Sequence, residues 1–540
     1  MCGICGVFFG DNRPVSSDLI ELMKDRIVHR GPDEEGTFVA GSVGLGSRRL
    51  SILDLGHGRQ PIANASKTIW TVHNGEIYNF RELRRELEEQ GCRFRTETDT
   101  EVLVYGYEVY GTDIFRRLNG MFASAIWDQR NRRLLLARDR MGIKPLYYAA
   151  SETYFAFASE PRALMALPFV EPAINHEAIL PYLCLEYVPS PRTMFRGIHR
   201  LEPGHFMVVQ EGSARPFKYW DFDLARSERL PRRGVKEYVG DVRDALQKAV
   251  SAELISDVPV GVLLSGGMDS SAVAACAAQV VSGPLNTFTL GFSEPSFDES
   301  QHARAVARAL GARHHHMTAT PADALKVIDA LPTLIDEPLG DSSFIPTFLI
   351  SRFAREHVKV VLGGDGGDEL FGGYPTLQAH RVARALNLLP SGFWNLAGRA
   401  LSHVPTSMDY LSLDFKVKRF VKGMPYPSPY RHHVWLGSLD PAEARSLLAR
   451  DFVGSLHAVD PFDDITRQMR GCGASRLLNQ IMYLDTKLYL EGDILTKVDR
   501  ASMACSLETR VPLLNSFMLD VAESLPLDLK IRGLTRRYAF

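Results

Sequence analysis

Residues 258–271 read VPVGVLLSGGMDSS, which predicts a buried β-strand, a glycine loop and a helix that begins near Ala272. Glycines let the backbone approach an anion closely, and Ser270 and Ser271 supply hydroxyls for it or for the helix cap. The N-terminus of the helix adds free N–H donors and the positive end of its dipole. The stretch therefore indicates a pyrophosphate site, although a plain strand-to-helix turn with a serine cap has similar features.

A second strand and loop support a phosphate site. Residues 358–362 form an apolar β-run, and residues 363–374 follow it with the sequence GGDGGDELFGGY. Its three acids would repel a polyphosphate unless a divalent cation lay between them. We therefore expect Asp269 and Asp368 to bind Mg²⁺ together with phosphate oxygens. A calcium loop does not fit, because the spacing lacks the twelve-residue pattern with a terminal Glu.

The pattern of the chain changes near residue 235. Beyond it, long helices alternate with short apolar strands, which predicts an α/β domain with a parallel sheet covered on both faces. The earlier part has short β-runs and few helices, notably 80–90, so we expect a sheet-dominated α+β domain. At 540 residues the chain is too long for one core. We expect domains at 1–223 and 235–540, joined by a polar linker at 224–234.

A cysteine stands second in the chain, behind Met1. A side chain this small permits removal of the initiator methionine, which would place a thiol and a free α-amine on one residue. The amine titrates near ~7.7–8.0 and the thiol near ~8.5, so the amine can accept the thiol's proton. Cys2 would then be nucleophile and base together. Cys2 and Cys5 also have the spacing of a redox or zinc pair, but no second CxxC completes a zinc site.

Residues 1–223 resemble the glutaminase domain of the class II glutamine amidotransferases. The resemblance rests on ordered motifs, which are CGI at 2–4, HRGPD at 29–33, RLSI at 49–52, NGEIYN at 74–79, TDTE at 98–101, NGMFA at 119–123 and RDRMGIKPLY at 138–147. It implies an Ntn-hydrolase-type αββα sandwich in which Cys2 is the nucleophile.

The same resemblance assigns the glutamine pocket. It implies that Arg49 pairs with the α-carboxylate of glutamine, a task that suits a two-pronged guanidinium. Glu76 and Asp99 would hold the α-ammonium group. The Asn74 side-chain amide and the Gly75 backbone N–H would form the oxyanion hole. An Asn-Gly pair is also typical of a type I′ hairpin turn, and a turn on a rigid sheet can present such donors.

The second half resembles the ATP pyrophosphatases, which cleave ATP to AMP and pyrophosphate, through the loop SGGMDS at 265–270. Together the two halves are similar to the glutamine-hydrolysing asparagine synthetase family over nearly the whole chain. That resemblance implies an adenine-nucleotide-α-hydrolase-like fold for the second domain. The ATP site that it implies has Leu263 and Leu290 beside the adenine, Gly363 and Gly364 near the ribose and α-phosphate, and Ser265, Gly266, Gly267, Asp269 and Ser270 around the phosphates.

The chemistry that the family implies is two reactions joined by ammonia. Cys2 hydrolyses glutamine through a thioester, and the second domain adenylates a carboxylate with ATP and Mg²⁺. Ammonia crosses between the sites inside the protein and displaces AMP. We expect aspartate as the acceptor and asparagine as the product. Other functions stay open, namely amidation of another carboxylate in polysaccharide or secondary-metabolite biosynthesis, a polysaccharide-cluster protein whose synthetase half is only a scaffold, and a glutaminase with a regulatory ATP-binding domain.

Three features depart from the family pattern. Asp365 stands where family members have a Glu that assists adenylate formation or deprotonates ammonia. The segment 335–347 lacks the Thr-Thr stretch near aspartate and resembles enzymes of bacterial polysaccharide clusters. The chain ends at Phe540, before a segment that carries a pyrophosphate-facing lysine, so we expect the second domain to be incomplete at its C-terminus. The candidates for binding acceptor or pyrophosphate are Glu369, Arg500 and Arg510.

Composition limits the remaining classes. A net charge of −2 without a basic run argues against nucleic acid as a partner. There is neither an apolar stretch of about 18 residues nor a charged-then-apolar leader, so we expect no membrane span and no signal peptide. Seven cysteines, an odd and sparse number, fit a reducing cytoplasm. The expected partners are glutamine, ATP and the carboxylate acceptor, and a homodimer is left open.

Overall fold

In the computed structural model, which describes residues 2–210, 212–405, 407 and 412–540, the chain begins with a domain of two β-sheets. Its strands are β1 Cys2–Phe9, β2 Glu34–Ala40, β3 Val43–Arg49, β4 Ile62–Ala63, β5 Ile69–Ile77, β6 Gly120–Asp128, β7 Arg133–Arg138, β8 Tyr147–Ala150, β9 Tyr154–Ala158, β10 Ile198–Arg200, β11 His205–Gln210 and β12 Ser213–Lys218. They form two antiparallel six-stranded sheets, in the orders β10-β8-β9-β1-β3-β2 and β12-β11-β7-β6-β5-β4.

The two sheets pack face to face, with helices outside each. An apolar core that includes Phe8, Val72 and Phe157 lies between the sheets. The helices of this domain are α1 Ser17–Asp25, α2 Phe80–Glu89, α3 Glu101–Tyr110, α4 Ile114–Arg117, α5 Pro161–Leu164 and α6 His176–Leu185. Helices α1 and α5 contact the sheet of β1, whereas α3 contacts the sheet of β5. The layers confirm the expected αββα sandwich.

The second domain is built on a parallel sheet. Its strands are β13 Val260–Leu263, β14 Asn286–Phe292, β15 Arg313–Ala319, β16 Val360–Leu362 and β17 Glu508–Arg510, followed by a small hairpin of β18 Ile531–Arg532 and β19 Thr535–Arg536. The strand order of the parallel sheet is β15-β14-β13-β16-β17. The loops after β13 and β16 therefore lie side by side at one edge, where ligands bind in folds of this class. The expected α/β class is confirmed.

Helices surround this sheet and extend beyond it. They are α7 Arg226–Arg229, α8 Val235–Glu253, α9 Met268–Ala278, α10 Ser300–Ala309, α11 Pro321–Leu334, α12 Phe344–Arg355, α13 Gly367–Phe371, α14 Pro375–Leu386, α15 Ser391–Leu401, α16 Leu413–Gly423, α17 Ser428–Leu436, α18 Pro441–Ser446, α19 Arg450–Ser455, α20 Asp463–Gly471, α21 Leu477–Leu484, α22 Thr496–Met503, α23 Ser516–Ser524 and α24 Leu527–Lys530. A π-helical segment, Asp485–Leu495, connects α21 to α22. Within the described ranges, no helix is both long and apolar enough to cross a membrane.

Two local expectations differ from the structure. Helix α9 begins at Met268 rather than near Ala272, because the extended Gly267 already serves as its N-cap. Asp269 therefore lies in the first helical turn. The segment 224–234 is not a plain polar loop, since it contains helix α7 and the buried side chain of Leu224.

Buried ion pairs join the two domains. Arg30 of the first domain donates to Asp499 in α22 at 2.8 and 3.0 Å and to Glu160 at 2.9 Å. Arg500, also in α22, lies 2.8 Å from the same Glu160. All four side chains are at most 5% exposed. Removing one partner would leave a buried charge, at a cost of about 3–5 kcal/mol, so the domains are held in a defined arrangement.

Candidate active sites

Strand β1 places Cys2 in a buried corner between the two sheets. Cys2 is 5% exposed and pairs with Arg49 across the β1–β3 ladder. Its backbone N–H donates to Asn74 Oδ1 at 3.1 Å, which ties β1 to β5 in the other sheet. The Gln60 amide nitrogen lies 3.8 Å from Cys2 Sγ. Met1, whose removal we predict, lies outside the described residues.

Burial governs the acidity of the Cys2 thiol. It raises the pKa of this thiol above its ordinary value, and the positive charge of Arg49 opposes the shift only in part. A thiol that is neutral at rest needs a base at the moment of attack. The α-amine predicted on Cys2 itself would be such a base, and the nitrogen concerned is already oriented by Asn74.

Asn74 and Gly75 lie inside β5, so the hairpin-turn interpretation of this pair is wrong. The two residues stand opposite Ala123 and Phe122 of β6, and the strand continues beyond them. Gly75 has φ +151°, and a Cβ at this position would lie 2.0 Å from the Met121 carbonyl oxygen, so only glycine fits. Asn74 Nδ2 is buried and has no hydrogen-bond partner among the described residues. Buried donors are normally paired, so this amide fits an oxyanion donor.

Arg49, expected to bind the glutamine carboxylate, already has partners in the protein. Its guanidinium forms an ion pair with Glu34 and donates to the carbonyls of Leu53 and Asp54 at 2.7 and 2.9 Å. These contacts fix the plane of the guanidinium beside Cys2. A substrate carboxylate at Arg49 would share the guanidinium with Glu34.

Asp99 and Glu76, expected to bind the ammonium group, differ in their electrostatics. Asp99 accepts a hydrogen bond from the Ile77 N–H at 2.7 Å and lies 3.6 Å from His73 Nε2. Burial alone would raise the pKa of Asp99, but His73 and the Ile77 N–H hold it below its usual value. Burial and the neighbouring Glu508 raise the pKa of Glu76 well above its usual value. Cations favour the ionised form of such a group, and the Arg510 guanidinium, 3.4 Å from Glu76 Oε1, is one of them.

A cavity of about 500 Å³ lies at the carboxyl ends of β13, β14 and β16. This volume is within the range of ~300–1,000 Å³ that is common for small-molecule sites. Its walls include Leu263, Ser265, Gly267, Asp269, Ser270, Leu290, Gly363, Gly364 and Asp365. Gly266 lies in the same loop with φ +84°, and a Cβ there would lie 2.5 Å from the Ala303 nitrogen. The structure thus gathers the residues expected around ATP.

Hydrogen bonds shape the loop after β13. The Gly267 N–H donates to Ser265 Oγ at 3.1 Å, and the Ser265 N–H donates to Ser270 Oγ at 3.2 Å. The neighbouring loop comes so close that a Cβ on Gly364 would lie 2.9 Å from the Ser270 nitrogen. The two loops and the start of α9 therefore form one tight cradle, which suits close contact between backbone and phosphate.

Asp269 and Asp368, the expected Mg²⁺ ligands, are bridged by Arg537. Arg537 Nη2 lies 2.9 Å from Asp269 Oδ2 and also pairs with Asp368 Oδ1. Burial, with the charges of Asp368 and Asp365, raises the pKa of Asp269 to about 6, although Arg537 opposes the shift. Asp269 Oδ1 is buried and has no hydrogen-bond partner in the part of the chain that the structure describes. No cluster of three or more metal-binding side chains occurs among the described residues. Two carboxylates beside a phosphate loop suit Mg²⁺, which usually binds one or two carboxylates together with phosphate oxygens.

Asp365 shares the cavity wall with Lys497 of α22. Burial raises the pKa of Asp365, and the charge of Lys497 opposes the shift. Lys497 Nζ donates to Asp341 Oδ2 and to Ser343 Oγ, each at 2.8 Å. Ser343 also lines the cavity, so the segment 335–347 reaches the ATP site.

Family models match both halves of the chain, a glutamine amidotransferase domain over residues 1–220 and asparagine synthase over residues 241–540. The chain belongs to the asparagine synthase family. It is 35% identical over 547 residues to asparagine synthetase (glutamine-hydrolysing) 1 of Bacillus subtilis strain 168, covering 100% of this chain and 83% of that protein. It is 37% identical over 539 residues to a putative asparagine synthetase (glutamine-hydrolysing) of Mycobacterium tuberculosis H37Rv, covering 95% and 79%.

Three residues of this asparagine synthase-family protein that we expect to bind the acceptor or pyrophosphate do not line the ATP cavity. Glu369 is buried and accepts a hydrogen bond from the Tyr374 hydroxyl at 2.5 Å. Arg500 binds Glu160 in the domain interface. Arg510 is fully buried and points to the first domain. Their roles toward acceptor or pyrophosphate stay predictions, and the structure assigns the two arginines contacts between domains.

Sequence reasoning missed three polar residues that the sites contain. Gln60 lies near the Cys2 thiol. Lys497 donates hydrogen bonds to Asp341 and Ser343. Arg537 forms ion pairs with both acids of the phosphate site, Asp269 and Asp368. The acidic loop at 363–374 was the available signal for the two cations, because so many acids require positive partners. Nothing local in the sequence indicates which arginine or lysine provides them.

Proposed function

We propose that this chain is a glutamine-dependent, ATP-consuming amidotransferase that converts aspartate to asparagine. The observation that carries the proposal is the presence of two distinct sites on one chain. One contains a buried Cys2 beside the Asn74 Nδ2 group, which has no hydrogen-bond partner among the described residues, and the other is a nucleotide-sized cavity lined by a glycine-serine loop. Membership of the asparagine synthase family, and the names of the two relatives, support this class of reaction.

In the first site, Cys2 Sγ attacks the side-chain carbonyl carbon of glutamine. The oxygen of the tetrahedral intermediate takes its charge against Asn74 Nδ2 and the Gly75 N–H. The C–N bond breaks as ammonia receives a proton from the amine of Cys2, which leaves a thioester that water hydrolyses to glutamate. Asn74 Oδ1 keeps the nitrogen of Cys2 in place.

In the second site, a carboxylate oxygen of the acceptor attacks the α-phosphorus of ATP, and pyrophosphate leaves. Ammonia then attacks the acyl carbon, and AMP leaves as the C–O bond breaks. Asp269 and Asp368 would hold Mg²⁺, which supplies charge neutralisation for the phosphates. Asp365, which lines the same cavity as Lys497, would accept the proton that the attacking ammonia loses.

The choice of aspartate as the carboxylate acceptor is the more specific part of the proposal. It is supported by the names of the relatives and by the cation of Lys497, which lines the cavity together with Ser343. Free thiols at all seven cysteines support the expected cytoplasmic location.

The test is pyrophosphate release by the purified chain with MgATP, glutamine and a panel of carboxylates. We expect aspartate to stimulate release, with asparagine and AMP formed in equal amounts. Stimulation by a sugar acid or a peptide-linked carboxylate, but not by aspartate, would overturn asparagine as the product and keep the amidotransferase. Glutamine hydrolysis without pyrophosphate release for any acceptor would instead favour the glutaminase with a regulatory nucleotide domain.

A further inference from the structure

Arg510, at the end of β17, is held from several sides in the domain interface. Its Nε donates to Glu508 Oε1 at 2.6 Å. Its Nη1 donates to the backbone carbonyls of Glu253 and Ile255 at 2.6 and 2.7 Å. Burial alone would lower the pKa of this guanidinium, but Glu508 and Glu76 raise it above its ordinary value. A charged, planar group with this many contacts cannot turn without breaking several of them.

The remaining nitrogen of Arg510 faces the first domain. Nη2 makes no hydrogen bond to any described residue and lies 3.4 Å from Glu76 Oε1. Glu76 follows Asn74 by two positions on β5, so the two side chains lie on the same face of the strand. A residue of the second domain therefore contacts the carboxylate that is expected to bind the ammonium group of glutamine.

The backbone of Arg510 contacts the ATP site. Strand β17 pairs in parallel with β16, and the Gly363 N–H donates to the Arg510 carbonyl at 2.8 Å. Gly363 and Thr509, the residue before Arg510, both line the cavity. One residue thus contacts the ATP loop through its backbone and the glutamine pocket through its side chain.

We propose that Arg510 is a positioning residue that orients Glu76 for glutamine and links the glutamine pocket to the ATP loop at Gly363. The inference rests on the proposed function, since it needs both substrates to bind. A change in the Gly363 loop when ATP binds reaches Glu76 through the short strand β17. Binding free energies are reciprocal, so glutamine changes the affinity for ATP by the same factor.

The charges around Glu76 give this role a pH signature. Glu76 faces Glu508 and Arg510 from β17, Asp99 from the loop before α3, and the Cys2 corner on β1. Burial and Glu508 raise the pKa of Glu76, and Arg510 is the strongest opposing charge among these residues. Without Arg510, Glu76 would ionise only at higher pH, and a neutral carboxyl holds an ammonium group weakly.

The first test is glutamine hydrolysis by Arg510→Met, measured over a pH series without ATP. We expect the KM for glutamine to rise about tenfold or more near neutral pH and to fall again as pH increases, with a much smaller change in kcat. A merely structural role would lower kcat or stability without adding this pH dependence. A KM with the wild-type value and pH profile would overturn the proposal.

The second test is the effect of a non-hydrolysable ATP analogue, with Mg²⁺, on the same KM. In the wild type we expect a change of about fivefold or more, and in Arg510→Met a change close to none. Equal effects in both proteins, or no effect in the wild type, would contradict the link between the sites.

Two variants keep these tests decisive. Arg510→Lys keeps the charge but not the fixed fork of contacts, so we expect its pH profile to approach that of the wild type while the effect of the ATP analogue is lost. Should Arg510→Met fail to fold, an undiminished analogue effect in Arg510→Lys would overturn the proposal. The matched control is Arg192→Met, which breaks a different interdomain ion pair, with Asp464, and should leave both measurements unchanged. Absence of glutamine hydrolysis in the wild type would instead refute the proposed function.

Discussion

The two active sites of this chain are built by different means. The Cys2 corner is made of strands from two sheets, and its reactive groups are fixed by backbone geometry, as at Asn74 and Gly75. The ATP site is made of loops at the end of a parallel sheet, and its acids are balanced by Arg537 and Lys497, which come from distant segments. The oxyanion hole of the first site depends on backbone shape, and the ATP site depends on the balance of its charges. Substitutions should therefore damage them in different ways.

The largest effect should come from removing the nucleophile. Cys2→Ala should abolish glutamine hydrolysis and leave pyrophosphate release with ammonium salts near the wild-type rate, because the second site needs only ammonia. Steady-state rates with each nitrogen source measure this. Cys5→Ala is the matched control, since Cys5 is also buried on β1 and should keep both activities. Hydrolysis of glutamine by Cys2→Ala would show that Cys2 is not the nucleophile.

The second largest effect should come from substituting Asp269 and Asp368 in the ATP site. Asp269→Asn and Asp368→Asn should each lower pyrophosphate release at least about a hundredfold, because polyphosphate binding beside the acidic loop needs the cation that they hold. Glutamine hydrolysis should persist. Asp244→Asn, on helix α8, is the control. Wild-type turnover of ATP by either variant at ordinary Mg²⁺ concentration would show that the metal ligands lie elsewhere.

A substitution at Gly75 should impair the glutamine site and leave the ATP site active. In Gly75→Ala, the new Cβ would lie 2.0 Å from the Met121 carbonyl oxygen, so the oxyanion donor must move. Loss of one such donor costs about 10²–10³ in rate, and we expect a fall of that size in kcat for glutamine. Ammonia-dependent synthesis should change little. A full rate with glutamine would mean that Gly75 is not part of the oxyanion hole.

Local patterns in the sequence predict much of this architecture but little of its electrostatics. The arrangement of apolar β-runs and helices along the chain predicts the two fold classes, because buried residues recur with a different period in strands than in helices. The ordered motifs predict the roles of Cys2, Asn74 and the phosphate loop. The position of Asn-Gly inside β5 was missed, since the same dipeptide also suits a turn. The bridges made by Arg510 and Arg537 join segments that only the tertiary fold brings together, and no local pattern specifies such partners.

The smallest effect should come from lengthening the side chain of Asp365 in the ATP site. Asp365→Glu should retain a sizeable fraction of synthesis, because a carboxylate one methylene longer keeps a negative charge in the cavity wall that also holds Lys497. Asp365→Ala should lose most of it, since no carboxylate remains to accept a proton. Rates of asparagine formation with ammonia compare the two variants. Equal rates for Asp365→Ala and the wild type would exclude Asp365 from the chemistry.

The central claim is that nitrogen released at Cys2 reaches a carboxylate activated by ATP in the second domain. The most direct test uses glutamine with a heavy isotope in its amide nitrogen, together with MgATP, aspartate and unlabelled ammonium in the medium. We predict labelled asparagine, with AMP formed in equal amount. Labelled free ammonium together with unlabelled asparagine, or glutamate formed without AMP, would contradict the account.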